Sequence, residues 1–209
     1  MDNLEKLPED LGILDVGILV NCVEIRPDKI GTFSEQPDGL ASKLVKVNCL
    51  SYIKMLEMIL PGMVQRNIGI IVNISSMLGW RPVSYMSTYP ATKAAINFYT
   101  DNLYDEFKNT NIKIQCLIPS LVATKTISNE PKEAAPICVV HPETYAKYAV
   151  RIIGKFRIST GCFYHDLHFS LQKLIGFWLF KRIFVEVGIC GLFKRRVGKN
   201  PDDLLYAKC

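Results

Sequence analysis

Short apolar runs that alternate with long segments of helical spacing are the feature that most constrains the fold of this chain. The apolar runs occupy residues 16–21, 68–75 and 112–118, and each is bounded by polar residues, glycine or proline. Continuous apolar runs of this length are typical of parallel strands that are buried on both faces. Apolar residues recur with helical spacing at 40–65 and 89–108. The alternation predicts an α/β fold with a Rossmann-like, doubly wound parallel sheet.

Composition excludes several classes of protein. With 209 residues, 49 % of them hydrophobic and 22 % charged, the chain has the balance of a folded domain rather than of a disordered segment. A net charge of +5 is too small to indicate nucleic acid as a partner. The seven cysteines contain no C-x-x-C pair, so we expect reduced thiols and no metal site. No signal peptide and no run of about 18 uncharged apolar residues is found.

The remaining pattern predicts how the chain is organised. A further helix is expected at 144–154 and a last strand at 161–165, and Pro61 is expected to bend or end the first long helix. We expect one catalytic domain over residues 1–168, followed by a basic, amphipathic segment over residues 169–209.

Polar residues that follow a buried strand are the first candidates for a site, because chemistry in parallel sheets lies at the carboxyl ends of the strands. Ser76 follows the second strand, and Tyr89 comes thirteen residues later. Lys93 lies four residues after Tyr89, so on a helix its ammonium lies near the phenol and favours the ionised form. Tyr104 and Lys108 share this spacing but lack a strand-end hydroxyl, which favours an ordinary helical pair.

Together these residues resemble the catalytic region of the short-chain dehydrogenases/reductases. The resemblance covers about residues 15–165 and is strongest to the branch that contains 17β-hydroxysteroid dehydrogenase types 3 and 12 and the very-long-chain 3-oxoacyl-CoA reductases. The motif that carries it is Asn73-Ile74-Ser75-Ser76-x-x-Gly79 followed by Tyr89-x-x-x-Lys93, with branch-like residues at 60–64 and 122–125.

The resemblance implies a role for each site residue. Tyr89 is then the acid/base, and Lys93 binds the nicotinamide ribose and lowers the pKa of Tyr89. Ser76 holds the substrate oxygen, and Asn48 supports a proton relay. The implied cofactor is NADP(H), and its contacts are Asn21, Lys93, Pro119, Val122 and Thr124. Thr124 would meet the carboxamide, although its residue type equally suits a helix cap.

Three departures from the family pattern bear on activity. The 209 residues contain no glycine-rich phosphate loop, so the expected sheet is N-terminally truncated, without its first βαβαβ part, and cofactor binding is expected to be weak. Glu24 stands where the family has glycine, and it adds bulk and negative charge near the dinucleotide; no catalytic role is assigned to it. Pro90 disturbs the geometry of Tyr89 unless the helix begins at Pro90.

The C-terminal region allows two interpretations. Residues 169–196 combine an apolar face with lysines and arginines, which suits either a helix that covers the substrate pocket or a helix on a membrane surface. His165 and His168 flank Asp166, but they lack a distant third ligand, so a structural or surface role is expected.

Two functions from different classes follow. The first is an oxidoreductase that interconverts a lipophilic ketone and its alcohol, either a steroid or a long-chain 3-oxoacyl-CoA. The resemblance implies a location at the cytosol-facing surface of the endoplasmic reticulum, and the cytoplasm is the alternative. The second is a catalytically silent relative that acts as a binding or dimerisation module. The family commonly dimerises through the two helices that correspond to 40–65 and 89–108.

Overall fold

A computed structural model of the chain describes residues 14–124 and 139–183. Its main sheet has four parallel strands in the order β1-β2-β3-β6. These strands are β1 (Ile18–Asn21), β2 (Gly69–Ile74), β3 (Ile112–Leu117) and β6 (Ile158–Ser159), and a second, two-stranded parallel sheet pairs β4 (Leu121–Val122) with β5 (Val139–Val140). The register places Asn21 beside Asn73, and Asn73 beside Cys116. The carboxyl ends of β1, β2 and β3 therefore lie at one edge of the sheet.

Helices cover both faces of this sheet. They are α1 (Leu40–Arg66), α2 (Thr88–Phe107), α3 (Pro142–Arg151), α4 (Phe163–Leu174) and α5 (Phe177–Phe180). Helices α1 and α2 pack on one face through a cluster that includes Leu56, Leu103 and Ile71, whereas α3 packs on the other face against Val72. This arrangement confirms the prediction of a doubly wound parallel sheet.

Helix α1 is continuous through Pro61, so this proline does not end it, and of the two expected effects only a bend stays a prediction. Leu56, Ile59 and Met63 lie on both sides of the proline and are buried in one core cluster, and their burial holds the helix against the sheet. By length and composition alone α1 would also suffice to cross a membrane. In this fold its apolar face packs instead on the sheet. A single π-helical turn interrupts α1 at Lys46–Leu50.

The C-terminal elements differ from the predicted ones. The strand expected at 161–165 is wrong: β6 ends at Ser159, and α4 begins at Phe163. Gly161 has a φ of +92°, which ends the extended backbone, and the hydroxyl of Thr160 binds the Asp166 carboxylate in the first turn of α4. The helix predicted at 144–154 is observed as α3. Helix α4 also runs across the expected boundary at residues 168 and 169, and residues 184–209 lie outside the described part.

Strand β1 is an edge of the described sheet. It pairs with β2, and no other strand among residues 14–124 and 139–183 pairs with it. Leu19 is buried against the face that α1 covers, whereas Ile18 and Val20 point to the opposite face and are about half exposed. Two apolar side chains are thus uncovered at the edge where the sheet would accept another strand.

Candidate active site

The turn after β2 is bound tightly to the helix that carries Lys93. Ser76 caps the turn Met77–Gly79, because its Oγ accepts a hydrogen bond of 3.2 Å from the backbone N–H of Leu78. A Cβ on Gly79 would lie 2.6 Å from the carbonyl carbon of Lys93 and 2.8 Å from the backbone nitrogen of Ala94. Ser75 adds a hydrogen bond of 2.8 Å from its hydroxyl to the Lys93 carbonyl. Glycine at position 79 therefore permits the contact that brings Ser76 to α2.

Pro90 does not disrupt the pairing of Tyr89 with Lys93. Helix α2 begins at Thr88, so Tyr89 and Pro90 are its second and third residues. Backbone N–H groups in the first turn of a helix have no intrahelical partner, so the missing N–H of Pro90 removes no helical hydrogen bond. The helix thus includes Tyr89, yet Tyr89 and Lys93 remain neighbours, with the Lys93 Nζ 5.8 Å from the centre of the Tyr89 ring.

Lys93 is a fully buried cation at the carboxyl edge of the sheet. Its Nζ donates a hydrogen bond of 3.2 Å to the carbonyl of Ile74, the last residue of β2. The same Nζ forms an ion pair of 2.5 Å with Oε2 of Glu24, which lies three residues after β1. The Lys93 side chain has no solvent-exposed area, whereas that of Glu24 is 35 % exposed. Burial of an ammonium is costly without a partner, so Glu24 neutralises a charge that the fold has removed from water.

Glu24 also binds the phenol of Tyr89, whose hydroxyl donates a hydrogen bond of 3.2 Å to the same Oε2. The pKa of Tyr89 is raised well above its ordinary value, first by burial and then by the negative charge of Glu24, while a hydrogen bond with Ser76 acts in the opposite direction. The sequence predicted that Lys93 would lower this pKa. In the structure the pKa of Tyr89 is raised instead, first because the phenol is buried and then because the negative charge of Glu24 lies beside it.

Asn48 is fully buried in the π-helical turn of α1. Its Oδ1 accepts a hydrogen bond of 2.8 Å from the backbone N–H of Ile25, and its Nδ2 donates one of 2.8 Å to the carbonyl of the same residue. Nδ2 also donates to the Thr92 hydroxyl at 3.2 Å. Asn48 therefore joins α1 and α2 to the loop that carries Glu24. The expected role in a proton relay stays a prediction.

The expected cofactor contacts are at the same edge of the sheet or just beyond it. The Asn21 side chain is buried and donates to Asn73 at 2.9 Å, so it links β1 to β2. Pro119 follows β3, and its carbonyl accepts a hydrogen bond from the backbone N–H of Met77 at 2.9 Å. Val122 ends β4, and Thr124, which is exposed, lies two residues beyond it. Contacts of these residues with a cofactor stay predictions.

The donor groups suit the nicotinamide half of a dinucleotide. Lys93 and Tyr89 present a buried ammonium and a phenol, the groups that would hold ribose hydroxyls and a carbonyl oxygen. Glu24 already occupies both, so the fit requires its carboxylate to leave. Sequence reasoning noted the charge of Glu24 but missed its place in the site. A glutamate where the family has glycine was the available signal, but its partners lie 65 and more residues further along the chain.

The two histidines of α4 form a separate polar group near β4. His165 is buried, and its Nδ1 accepts a hydrogen bond of 3.3 Å from the backbone N–H of Ser120, while Nε2 has no hydrogen-bond partner. Burial lowers the pKa of both His165 and His168. No cluster of three or more potential metal ligands occurs in the described parts of the chain. Asp166 is bound by Thr160, which is consistent with a structural role.

Comparison with known proteins gives the family. A family model for short chain dehydrogenases matches residues 2–135. The very-long-chain 3-oxoacyl-CoA reductase of Mus musculus is 35 % identical over 187 residues, which cover 88 % of this chain and 59 % of that protein. The uncharacterized oxidoreductase dhs-27 of Caenorhabditis elegans is 62 % identical over 80 residues, 38 % of this chain and 10 % of that protein.

The fold is shared with solved structures. A 3-oxoacyl-[acyl-carrier protein] reductase with bound NAD from Brucella melitensis is 27 % identical, with a TM-score of 0.59 over 70 % of this chain and 58 % of that one. The chain spans about 60 % of the length of the curated reductases that it matches. Its parallel sheet with helices on both faces is the fold that the family resemblance implies. The chain belongs to the short-chain dehydrogenase family.

Proposed function

We propose that this chain carries the catalytic residues of an oxidoreductase that reduces the ketone of a lipophilic substrate with NADP(H). The observation that carries the proposal is the placement of Ser76, Tyr89 and Lys93 at the carboxyl edge of a parallel sheet. Relatives named very-long-chain 3-oxoacyl-CoA reductase, at 32–35 % identity, favour a long-chain 3-oxoacyl thioester over a steroid. A cytosol-facing surface of the endoplasmic reticulum is the proposed location.

A bound nicotinamide would supply the hydride. The residues of this chain would donate the proton and stabilise the charges that form. Tyr89 donates its phenolic proton to the carbonyl oxygen, and Ser76 stabilises that oxygen through a hydrogen bond. Lys93 stabilises the tyrosinate that remains, which requires Glu24 to have released the ammonium. The sparsely hydrated position of Tyr89 strengthens each of these electrostatic interactions.

The C-terminal helices support a lipophilic substrate. They are fixed to the loop after Ser76, because Arg81 donates to the carbonyl of Ile175 at 2.9 Å and its guanidinium lies 4.9 Å from the centre of the Phe180 ring. Their outer surface exposes 84 % of Leu174 and 68 % of Trp178. The described part of the proposed membrane-contact segment 169–196 thus presents an apolar face beside the site, where a lipid-soluble substrate would enter.

The contact of Glu24 with Tyr89 and Lys93 favours a second candidate. In that case the chain is a catalytically silent relative that binds a partner or dimerises. A second copy of this chain is the proposed partner, through the surfaces of α1 and α2 that face away from the sheet. Phe98 supports this surface, because it is 74 % exposed on α2. Sedimentation of the wild type and of the Phe98→Glu variant tests the dimer. We expect a dimeric wild type that the substitution dissociates, and a monomeric wild type contradicts the dimer.

The reaction itself is tested with the 209-residue chain, NADPH and a long-chain 3-oxoacyl-CoA, with the 3-hydroxyacyl-CoA product measured by mass spectrometry. Tyr89→Phe should lower kcat/KM by about 10²–10⁴-fold, the usual contribution of a positioned acid. Tyr104→Phe is the matched control, since Tyr104 and Lys108 share the spacing but lie away from Ser76. An equal loss of kcat/KM in both variants would contradict the role of Tyr89. An absence of product with the wild type and with every variant would favour the catalytically silent relative.

A further inference from the structure

One carboxylate oxygen of Glu24 contacts both Lys93 and Tyr89. Oε2 lies 2.5 Å from the Lys93 Nζ and 3.2 Å from the Tyr89 hydroxyl. A nicotinamide nucleotide needs these same groups, Lys93 for its ribose hydroxyls and Tyr89 for the reacting oxygen. We propose that Glu24 is an internal competitor of the nicotinamide nucleotide, and that the site accepts the nucleotide only after this carboxylate leaves Lys93. The inference rests on the proposed nicotinamide chemistry.

The competition favours Glu24 because the nucleotide offers Lys93 a weaker hydrogen bond than the carboxylate does. The buried Lys93 ammonium holds a charge-assisted hydrogen bond with the carboxylate, and a neutral ribose hydroxyl replaces it with a weaker one. The Tyr89 phenol must likewise give up a charged acceptor. The nucleotide therefore has to displace an ion pair before it gains its own contacts, and its apparent affinity falls accordingly.

The surroundings of Glu24 allow its side chain to leave while the backbone stays in place. Asn48 holds both backbone polar groups of Ile25, the next residue, at 2.8 Å. The Glu24 side chain is 35 % exposed, so its carboxylate has a route to water. A rotation of the Glu24 side chain would then open the site, and no movement of β1 or α2 is required.

The test compares Glu24→Gln and Glu24→Gly with the wild-type 209-residue chain. Glu24→Gln keeps the size of the side chain and removes its charge, whereas Glu24→Gly removes the side chain. Glu57→Gln is the matched control, because Glu57 forms an exposed ion pair with Lys54 at 2.8 Å. Binding is measured by titrating NADPH and following its fluorescence, and by the increase in Tm that NADPH produces. Reductive methylation of Lys93, read by peptide mass spectrometry, reports its ion pair without any nucleotide.

We expect Glu24→Gly to bind NADPH at least about tenfold more tightly than the wild type, since one charge-assisted hydrogen bond is worth that much or more. Glu24→Gln should lie between the two, and Glu57→Gln should match the wild type. Lys93 should be methylated faster in both Glu24 variants. If Glu24→Gly does not fold, Glu24→Gln is judged by the same criteria.

Two results overturn the inference, and they differ in what else they contradict. Measurable and equal NADPH affinities in the wild type and the Glu24 variants contradict the competition alone. An absence of NADPH binding in every variant contradicts both the competition and the proposed nicotinamide chemistry. Unchanged methylation of Lys93 in Glu24→Gly also overturns the inference, because removal of the side chain would uncover the amine if Glu24 shielded it in solution.

Discussion

Asn48 binds both backbone polar groups of Ile25, with one hydrogen bond of 2.8 Å in each direction. A side-chain amide matches a peptide group in this way because it carries a donor and an acceptor side by side. The contact joins the π-helical turn of α1 to the loop after β1, and so it fixes the backbone next to Glu24. The residue that the family resemblance assigns to a proton relay has a clear structural task in this chain.

Asn48→Ala should destabilise the protein by about 1–3 kcal/mol, because it leaves the polar groups of Ile25 and Thr92 without this partner in a partly buried place. Asn48→Asp should be destabilising too, since a carboxylate cannot donate to the Ile25 carbonyl. Urea denaturation measures both. Asn102→Ala, at an exposed position of α2, is the control and should stay within about 0.5 kcal/mol of the wild type. A stability equal to that of the control would show that the amide contact contributes nothing.

Gly79→Ala should cost about 1–3 kcal/mol of stability through steric overlap. The added Cβ would meet backbone atoms of Lys93 and Ala94, which cannot rotate away, so the turn must separate from α2. Gly17→Ala is a suitable comparison, because nothing lies within 4 Å of a Cβ at that position. Thermal unfolding of the two variants measures the difference, and equal Tm values would argue against the close approach.

Buried His165 and partly buried His168 should make the fold sensitive to mild acid. Burial lowers the pKa of His165 and His168 in the folded state, so below the ordinary value of 6.5 the unfolded chain takes up protons that the folded chain does not. Their contribution to the free energy of unfolding is complete above pH 6.5 and is lost as the pH falls below that value. Urea midpoints at pH 7.5 and pH 5.5 should therefore differ less for His165→Asn than for the wild type. An unchanged difference would contradict this assignment.

The apolar face of α4 and α5 should bind an anionic membrane surface. Trp178 and Leu174 are exposed there, and Lys173, Lys181 and Arg182 lie beside them in sequence. In flotation with vesicles of phosphatidylcholine and phosphatidylserine, Trp178→Ser should weaken binding about tenfold, the value of one buried large apolar side chain. Tyr148→Ser, at a partly exposed position of α3, should bind as the wild type does.

A second arm of the vesicle experiment separates charge from apolar contact. Vesicles of pure phosphatidylcholine, or high salt, should remove the part of the vesicle binding that the basic residues contribute. If the wild type binds neither type of vesicle, the exposed face of α4 and α5 does not act as a membrane contact.

The local patterns in the sequence were sufficient for the sheet and for part of the site. Continuous apolar runs identify β1, β2 and β3 because parallel strands are buried on both faces. Ser76, Tyr89 and Lys93 could be named as candidates because a strand end and a helix face fix their relative positions over short distances along the chain. Their catalytic roles, which the family resemblance implies, stay predictions. The last strand was misplaced because two residues, Ile158 and Ser159, are too few to give a periodic signal.

Only the tertiary structure decided what surrounds those residues. Glu24 meets Tyr89 across 65 positions of sequence, and Asn48 meets Ile25 across 23. Such pairs depend on how β1, α1 and α2 pack together, which no local spacing encodes. The direction of the Tyr89 pKa follows from that packing as well, because burial and the nearest charge set it. The sequence by itself determined which groups are available for chemistry, and the packing determined that a carboxylate holds two of them.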